Sequence, residues 1–322
     1  MKLYPLTFDP ILKERIWGGR NLESLYGKPL PPNRLIGESW EISDRPGDES
    51  VISNGSLRGK SIRWLMEKYP ASLLGPKKQF PERFPLLIKI LDARQTLSLQ
   101  VHPPANVADE LGGEPKTELW YVAQAGAEAE LFVGLKKGVT RAVFEQKLAA
   151  QTVAECFHRI QPKAGDAMFL PSGRVHALGQ DLVIFEVQQN SDTTYRVFDW
   201  NRTDSSGQAR ELHVEQSLAS IDFNDFEPDL LPETVAASGR GTIRPLVKNA
   251  LFEVAVRALP AGEGLNLTDG QMQIIGVVEG VLRIESAEES VFLHAGQFCL
   301  LPAECGSASV KAEIDASFLQ IC

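Results

Sequence analysis

The stretch AGDAMFLPSGRVHAL, residues 164–178, spaces a glycine, a proline and a histidine in a way that decides the fold. Gly165 is followed by five residues and then Pro171, and His176 comes just after the turn that Pro171 and Gly173 form. Glycine and proline mark turns, and the short apolar run between them is typical of a strand. The stretch therefore predicts β-structure with a sharp corner and places an imidazole just past that corner.

The same spacing recurs near the end of the chain and indicates an internal repeat. Gly296 is also followed by five residues and then Pro302. Two turn glycines that each follow an apolar strand, Gly126 and Gly280, form a second pair. The number of residues that separates Gly165 from Gly296 is smaller than the number that separates Gly126 from Gly280. The difference is close to the length of the segment 135–157. We therefore predict one β unit used twice, with a helical insert in the first copy.

Other local patterns favour many short strands and few helices. Glycine and proline are frequent and scattered, at 26 and 20 residues, so turns should interrupt the chain often. Apolar and polar residues alternate over 97–102, which predicts a strand. A helix is predicted over 61–69, where Ser61 can cap apolar residues at helical spacing. A second helical region is predicted over 140–157, with a capping box at 152–155.

Composition excludes several classes of function. The 322 residues favour two domains, and the formal net charge of −9 disfavours nucleic-acid binding and a polybasic membrane patch. A few local cations could still hold an anionic small molecule. No apolar run reaches the roughly 18 residues of a membrane span, and the N-terminus lacks a signal-peptide core, so we expect a cytoplasmic protein. The four cysteines form no CxxC pair, so free thiols are expected.

Four side chains of the N-terminal half have the chemistry of a metal site. Gln100 and His102 project from one face of a strand, because side chains at i and i+2 point the same way. Glu118 opens an apolar strand, and His176 follows the corner. Two imidazoles, a carboxylate and an amide oxygen suit Zn²⁺, with Fe, Mn or Co as alternatives, and leave room for water or substrate. The remaining histidines are interpreted as structural or surface groups: His158, His213 and His294.

The domain boundary is predicted from composition. The segment from Asp222 to about Arg244 is rich in Asp, Glu, Pro, Ser and Gly and is predicted to be a linker. We expect residues 1–235 to form a catalytic, metal-binding domain with an N-terminal extension, and residues 236–322 to form a second domain. The positions there that correspond by spacing to Glu118 and His176 are Met272 and Ser307, so the second domain is predicted to hold no metal.

Two family resemblances narrow the interpretation. The frame from Gly165 to His176 resembles the second signature of the cupin superfamily, whose small β-barrels bind a metal inside. The first cupin signature normally has two histidines two residues apart, and here it is altered to Gln100 and His102. In this altered form the chain strongly resembles the type I mannose-6-phosphate isomerases over about residues 8–203, in their short bacterial form. The segments that carry this resemblance are WGG (17–19), GESWE (37–41), FPLLIKILD (84–92), LSLQVHP (97–103), KTELWY (116–121), FEVQ (185–188) and NSDTTYR (190–196).

The resemblance implies both a fold and an activity. The fold is mainly β, with two cupin-like jelly-roll barrels, a few helices and a helical insert in the first barrel, the second barrel being degenerate. The activity is that of a zinc-dependent aldose–ketose isomerase, which interconverts mannose 6-phosphate and fructose 6-phosphate through an enediol(ate) with one Zn²⁺ per chain. The expected partner is a phosphorylated hexose, and we expect a monomer or homodimer that binds neither nucleic acid nor membrane.

Carried over by position, the family's functional residues fall on three groups of side chains. The zinc ligands fall on Gln100, His102, Glu118 and His176. The catalytic positions fall on Arg196, Lys116 and Asp192. The substrate-binding positions fall on Ser98 and Lys89.

The chemistry suggests roles for these residues and leaves some open. Arginine stays protonated and is a poor base, so Arg196 is assigned to stabilising the enediolate. Lys116 can carry a proton if it is partly desolvated. Ring opening is left open among Lys116, Asp192 and zinc-bound water, while Ser98 and Lys89 are candidates for the phosphate. Lys89 as a packing cation and Asp192 as a turn residue are the alternatives.

Two other functions fit the same set of predicted metal ligands and cations. An Fe-dependent cupin oxygenase would consume O₂ and prefer Fe(II), but the single Gln–His pair and the cations that could receive a phosphate argue against it. A non-catalytic cupin that binds a sugar phosphate is the second alternative. It would have no need for Arg196 together with Lys116.

Overall fold

The computed structural model describes residues 2–203, 207–268 and 270–322. Over these residues the chain is mainly β, as predicted, and none of the described helices is long and apolar enough to cross a membrane. The strands are β1 (Ile11–Gly19), β2 (Ile36–Ile42), β3 (Asp44–Arg45), β4 (Asp48–Glu49), β5 (Leu86–Ala93), β6 (Leu99–Val101), β7 (Glu118–Ala125), β8 (Leu131–Leu135), β9 (Phe157–Ile160), β10 (Ala167–Leu170), β11 (His176–Leu178), β12 (Leu182–Gln189), β13 (Tyr195–Phe198), β14 (Ala236–Ser238), β15 (Gly241–Lys248), β16 (Glu253–Leu259), β17 (Gly264–Asn266), β18 (Gln273–Glu279), β19 (Val281–Glu285), β20 (Ser290–His294), β21 (Phe298–Leu301), β22 (Ser309–Ala312) and β23 (Ala316–Ile321). The helices are α1 (Asn21–Tyr26), α2 (Ile62–Lys68), α3 (Pro70–Leu74), α4 (Arg141–Ala149) and α5 (Val214–Ser220).

The chain divides into two compact units. The first contains Met1–Lys13, Arg20–Ile90 and Pro232–Cys322, and the second contains Glu14–Gly19 and Leu91–Leu231. The boundary after Leu231 lies close to the predicted cut, whereas Arg20–Ile90 groups with the C-terminal residues. The assignment of one catalytic and one metal-free domain stays a prediction.

The second unit is built from two packed antiparallel sheets. Strands β12, β7 and β10 lie side by side in one sheet, and the other has the order β13-β6-β11-β8-β9. Buried apolar side chains of both sheets form one cluster, so the sheets pack face to face. Its members include Trp120, Met168, Leu170, Leu131, Val133 and Leu178.

A row of side chains crosses the second of these sheets. The register pairs Arg196 on β13 with Gln100 on β6, and Gln100 with His176 on β11. His176 is also paired with Val133 on β8. Directly opposed residues of antiparallel strands point to the same face, with Cβ atoms about 4.5–5.5 Å apart. Because Val133 belongs to the core between the sheets, the whole row faces that interior.

The helical insert covers the opposite face of the same sheet. Helix α4 lies between β8 and β9, where the helical insert was predicted. Its Phe144 is fully buried and packs against Phe157 and Phe223, with ring centroids 6.1 and 5.6 Å apart. Together with outward-facing residues of β6 and β8 they form a separate apolar cluster.

The predicted capping box at Thr152–Glu155 is wrong. The chain forms only a short 3₁₀ helix there, Val153–Cys156, and the Thr152 side chain makes no capping hydrogen bond. Gln151 has a φ of 59°, so the backbone reverses direction just before Thr152 and no α-helix begins there. The cap is supplied earlier, by Thr140, whose Oγ1 accepts a hydrogen bond from the Val143 amide at 3.3 Å. The other predicted cap is confirmed, since Ser61 Oγ accepts from the Trp64 amide at 3.2 Å.

We expect Phe144→Ala to lower the free energy of unfolding by about 3–5 kcal/mol, because removing a buried aromatic ring leaves a cavity. Val143→Ala is the matched control on the same helix. Val143 is exposed, so its change should stay within about 0.5 kcal/mol. Urea denaturation of the two variants measures the difference. Equal effects would show that the insert does not pack on the sheet as described.

The predicted internal repeat is confirmed by strand pairing. In the first unit, β18 pairs with β21 and β23, just as β7 pairs with β10 and β12 in the second. Likewise β19 pairs with β20 and β22, as β8 pairs with β9 and β11. Gly165 and Gly296 precede the equivalent strands β10 and β21 and have φ values of 92° and 78°, which favour glycine. In the C-terminal copy no helix separates β19 from β20. The helical insert therefore belongs only to the N-terminal copy, which lies in the second compact unit.

The predicted linker, Asp222 to about Arg244, is wrong in part. Strands β14 and β15 begin inside it, and its first half is bound to the second unit. The Leu231 amide donates to the Ala167 carbonyl at 2.8 Å. Asp225 receives two hydrogen bonds from the Arg174 guanidinium at 2.7 and 2.8 Å. Polar composition alone did not distinguish a free linker from a segment with such specific contacts.

Candidate active site

Three of the predicted metal ligands meet in the interior of the second unit. His102 follows β6, Glu118 begins β7 and His176 begins β11. Their ligand atoms all lie within 4.8 Å of one another, and each residue is only 1% exposed. The Gly173 amide donates to the His102 carbonyl at 2.9 Å, so the corner before β11 is tied to the segment that carries His102. Long-range pairing thus brings together residues that are far apart in sequence.

Backbone carbonyls orient both imidazoles. His102 Nδ1 is 2.8 Å from the Thr193 carbonyl oxygen, and His176 Nδ1 is 2.9 Å from that of Arg174. A carbonyl oxygen can only accept, so each Nδ1 carries the proton and each Nε2 presents a lone pair. A hydrogen bond on the other ring nitrogen is the usual way in which proteins orient a histidine that binds a metal.

The carboxylate of Glu118 faces both lone pairs. Its Oε1 is 3.4 Å from His102 Nε2, and its Oε2 is 3.5 Å from His176 Nε2. Tetrahedral ligands about 2.0–2.2 Å from a Zn²⁺ ion lie about 3.3–3.6 Å from one another, which matches these separations. His102 Nε2 and Glu118 Oε2 are buried without a hydrogen-bond partner, and the neighbour of Glu118 Oε1 outside the cluster is the Lys116 ammonium at 2.8 Å. Buried polar atoms normally have partners, so this donor set fits a divalent cation.

The electrostatic environment keeps the cluster in its ligating form. Burial, followed by the positive charge of Lys116, lowers the pKa of His102 to about 4. Burial also lowers the pKa of His176. Burial alone would raise the pKa of Glu118, but Lys116 and His102 outweigh it and hold that pKa well below its usual range. Neutral imidazoles and a charged carboxylate are the forms that bind a metal.

The fourth predicted ligand lies beside the other three. The amide nitrogen of Gln100 is 3.4 Å from His176 Nε2. A half-turn about the last side-chain bond would bring the amide oxygen to the same place. The structure therefore puts Gln100 next to the cluster, and its role as a ligand stays a prediction.

Lys116 supplies the positive charge closest to the cluster. Its Nζ lies 2.8 Å from Glu118 Oε1, and the side chain is almost fully buried. The Lys116 amide donates to Ser172 Oγ at 3.1 Å, which links it to the Pro171–Gly173 corner. A buried lysine at the edge of a metal cluster is in position to move a proton or to hold an anionic substrate.

Arg196 is a second cation, and it stands at one end of the row that crosses the sheet. Its Nη1 donates to the Glu211 carbonyl at 2.7 Å, while its Nε is buried without a hydrogen-bond partner. Burial, followed by the nearby Arg210, lowers the pKa of Arg196, but an arginine remains charged at neutral pH. The uncompensated N–H donor and the charge both suit an anion.

Trp120 is a contact residue of the site that the sequence analysis did not assign to it. Its ring meets the His176 ring edge-on, with centroids 5.2 Å apart. The indole Nε1 donates to Glu186 Oε1 at 2.9 Å, which holds the ring in place. Trp120 lies two residues after Glu118, so strand alternation was the signal that placed it on the same face. The carbonyls of Thr193 and Arg174 were also missed, because no residue type marks a backbone acceptor.

The other predicted site residues are not joined to the cluster by any contact that the structure shows. Asp192 is exposed in the irregular segment before β13, next to Thr193. Ser98 is buried just before β6 and, by alternation, shares the face of Gln100. Lys89 is buried on β5 in the other compact unit, with Nζ 5.2 Å from the centroid of the Trp40 ring. The roles of all three stay predictions.

Two packed antiparallel sheets enclose a buried cluster of nitrogen and oxygen atoms that could hold a metal ion, and this is the class of β protein that the fold and the site define. Comparison with known proteins gives the family. The family model for the catalytic domain of type I phosphomannose isomerase matches residues 6–146. This chain belongs to the type I phosphomannose isomerases, also called mannose-6-phosphate isomerases, which are aldose–ketose isomerases.

Full-length relatives support this assignment. The mannose-6-phosphate isomerase ManA of Bacillus subtilis is 35% identical over 317 residues, covering 97% of each chain. The mannose-6-phosphate isomerase of Streptococcus mutans is 35% identical over 299 residues, covering 92% of each chain. The crystal structure of mannose 6-phosphate isomerase from Bacillus subtilis superposes with a TM-score of 0.89 at 29% identity, covering 99% of this chain and 100% of that one.

Proposed function

We propose that this chain is a zinc-dependent isomerase that interconverts mannose 6-phosphate and fructose 6-phosphate through an enediol(ate) intermediate. The observation that carries the proposal is the buried, mutually facing set of His102, Glu118 and His176, found in a chain of this family. The relatives are named for mannose 6-phosphate, which supports the same substrate here. We further propose that Gln100 completes the ligand set.

We also propose the finer description of the fold. The two sheets of the second unit, with order β12-β7-β10 and β13-β6-β11-β8-β9, have the pairing expected of a cupin-like jelly roll. The matching pairings of β18 to β23 support a second, degenerate barrel that holds no metal. In this description the metal-binding domain covers residues 1–235 and the second domain covers 236–322. The chain acts as a monomer or homodimer in the cytoplasm.

The reaction moves a proton between C1 and C2 of the opened sugar and needs a base, an acid and stabilisation of negative charge. A bound Zn²⁺ would supply Lewis acidity without a change of redox state. Lys116 can hold or carry the proton, since its ammonium is buried and lies beside the Glu118 carboxylate of the cluster. Arg196 presents an N–H donor and a fixed charge to the developing enediolate. The group that opens the ring is one of Lys116, Asp192 or water.

The phosphate needs donors or cations in a protein of net negative charge. Ser98 shares the face of Gln100 and is our candidate hydroxyl. Lys89 is our candidate cation. Both assignments rest on the family pattern and on burial.

A coupled assay with metal analysis tests the proposed function. We expect the purified protein to contain one metal ion per chain and to convert mannose 6-phosphate to fructose 6-phosphate. Chelation should abolish the activity, because it removes the Lewis acid that the cluster would hold, and added Zn²⁺ should restore the activity. Oxygen uptake with Fe(II) is measured in parallel. Isomerase activity that persists after complete removal of metal would contradict the proposal, as would oxygen consumption without isomerisation.

A further inference from the structure

A cavity of about 310 Å³ lies within the first compact unit, apart from the metal cluster. Its walls are aromatic and apolar, and include Phe8, Tyr26, Phe292 and Phe298. Polar side chains also line it, among them Thr7, Ser53 and Gln297. The volume lies at the lower end of the range of small-molecule sites, which begins at about 300 Å³. Nothing in the proposed isomerase reaction uses this cavity.

The cavity contains a buried ion pair. Lys28 Nζ lies 2.7 Å from Glu41 Oε1, and each side chain is 6% exposed. Helix α1 ends at Tyr26, and Gly27, with a φ of 62°, turns the chain there just before Lys28. The Lys28 ammonium also donates to the Gly296 carbonyl at 3.0 Å. Ser39, on the same face of β2, donates its hydroxyl to Glu41 Oε1.

These contacts leave two polar groups of the pair unused. The hydrogen bond and the ion pair that the structure shows for the Glu41 carboxylate both go to Oε1. Lys28 uses two of its three ammonium protons. Both residues line the cavity. A molecule in the cavity with adjacent hydroxyl groups can therefore bind both Glu41 Oε2 and the Lys28 ammonium.

The charged residues that line the cavity indicate which class of ligand it can bind. The Lys28–Glu41 pair is neutral overall, and the remaining charged residue of the lining, Asp9, is negative. An anionic ligand such as a sugar phosphate is therefore disfavoured. One hydroxyl group can donate to Glu41 Oε2 while its neighbour accepts from Lys28. Aromatic side chains bury the apolar C–H face of such a molecule.

We propose that this cavity is a binding site for an uncharged sugar or polyol, separate from the site that takes the phosphorylated hexose. Adjacent hydroxyl groups bind Lys28 and Glu41, and the ring or carbon chain packs against Phe292 and Phe298. The site discriminates against phosphate through the negative charge that Asp9 adds.

Ligand-detected NMR with methyl α-mannopyranoside, a ring-locked and uncharged probe, tests the site on the full-length protein. We expect saturation transfer from the wild type and equally from His176→Ala, because the metal cluster is not involved. Glu41→Gln should weaken binding at least tenfold, since the amide carries no negative charge and replaces one acceptor oxygen with a donor. Inorganic phosphate should not displace the probe.

Phe292→Ala provides a variant that does not depend on the buried pair. Phe292 is 58% exposed on β20, so its removal should leave folding intact and weaken the probe severalfold. Absence of binding to the wild type overturns the proposal. Binding that is lost in His176→Ala, or that survives unchanged in both Glu41→Gln and Phe292→Ala, also overturns it, because the probe would then occupy another site. These outcomes are independent of whether the isomerase assay succeeds.

Discussion

A protein carrying His176→Ala is expected to lose its metal and roughly a thousandfold or more in kcat/KM. A catalytic metal contributes several kcal/mol to the transition state, and each 1.36 kcal/mol is worth a factor of ten. His176 supplies one of the two lone pairs that face Glu118, and its other ring nitrogen is already bound to the Arg174 carbonyl. Without it, the remaining imidazole and carboxylate make an incomplete site. Elemental analysis and the coupled isomerase assay measure the two losses.

The control for this variant is His158→Ala. His158 lies on β9, in the same sheet as His176, but it is only partly buried and outside the cluster. Its replacement should leave metal content and kcat/KM unchanged. Circular dichroism of both variants separates loss of metal from loss of fold. A folded His176→Ala protein that keeps a full complement of metal and normal activity would eliminate the proposed centre.

Replacement of Arg196 by lysine or alanine is expected to lower kcat by about 10²–10³-fold while metal content stays normal. Losing a donor that is aimed at developing negative charge typically has an effect of this size. Lysine keeps the charge but not the planar fork of donors, so Arg196→Lys should recover only part of the activity. The effect should fall mainly on kcat, because the interaction strengthens as the enediolate forms. Steady-state kinetics of both variants shows how much of the loss of activity falls on kcat and how much on KM.

Arg159→Ala is the matched control, since Arg159 lies on β9 of the same sheet and its side chain is 48% exposed. It should behave as the wild type. An increase in KM at constant kcat for the Arg196 variants would instead assign Arg196 to phosphate binding, and the role in charge stabilisation would be wrong. Unchanged values of both constants would remove Arg196 from the site altogether.

The convergence of His102, Glu118 and His176 could be predicted because the side on which each lies follows from local rules. Alternation along β6 and β7 and the Pro–Gly corner before β11 determine which face His102, Glu118 and His176 occupy. The internal repeat was visible for the same reason, since Gly165 and Gly296 precede equivalent strands at positive φ, where glycine is favoured. Both signals depend on residues that are close in sequence.

What could not be predicted depends on longer-range contacts or on the backbone. The carbonyls of Thr193 and Arg174 orient the histidines, but any residue type offers a carbonyl. The segment after Asp222 was interpreted as a linker because its hydrogen bonds to Ala167 and Arg174 reach across long stretches of chain. The grouping of Arg20–Ile90 with the C-terminal strands is likewise a property of tertiary contacts.

The row Arg196, Gln100, His176 gives the protein an unusual vulnerability to insertions and deletions. Alternate residues of a strand face opposite ways, so adding or removing one residue within β6 would turn Gln100 away from the interior and bring an apolar neighbour into its place. A frame shift of this kind would disable the centre without altering the identity of any functional residue. Anyone transplanting the centre into another scaffold should therefore copy the alignment of three strands, because the list of side chains alone does not specify it.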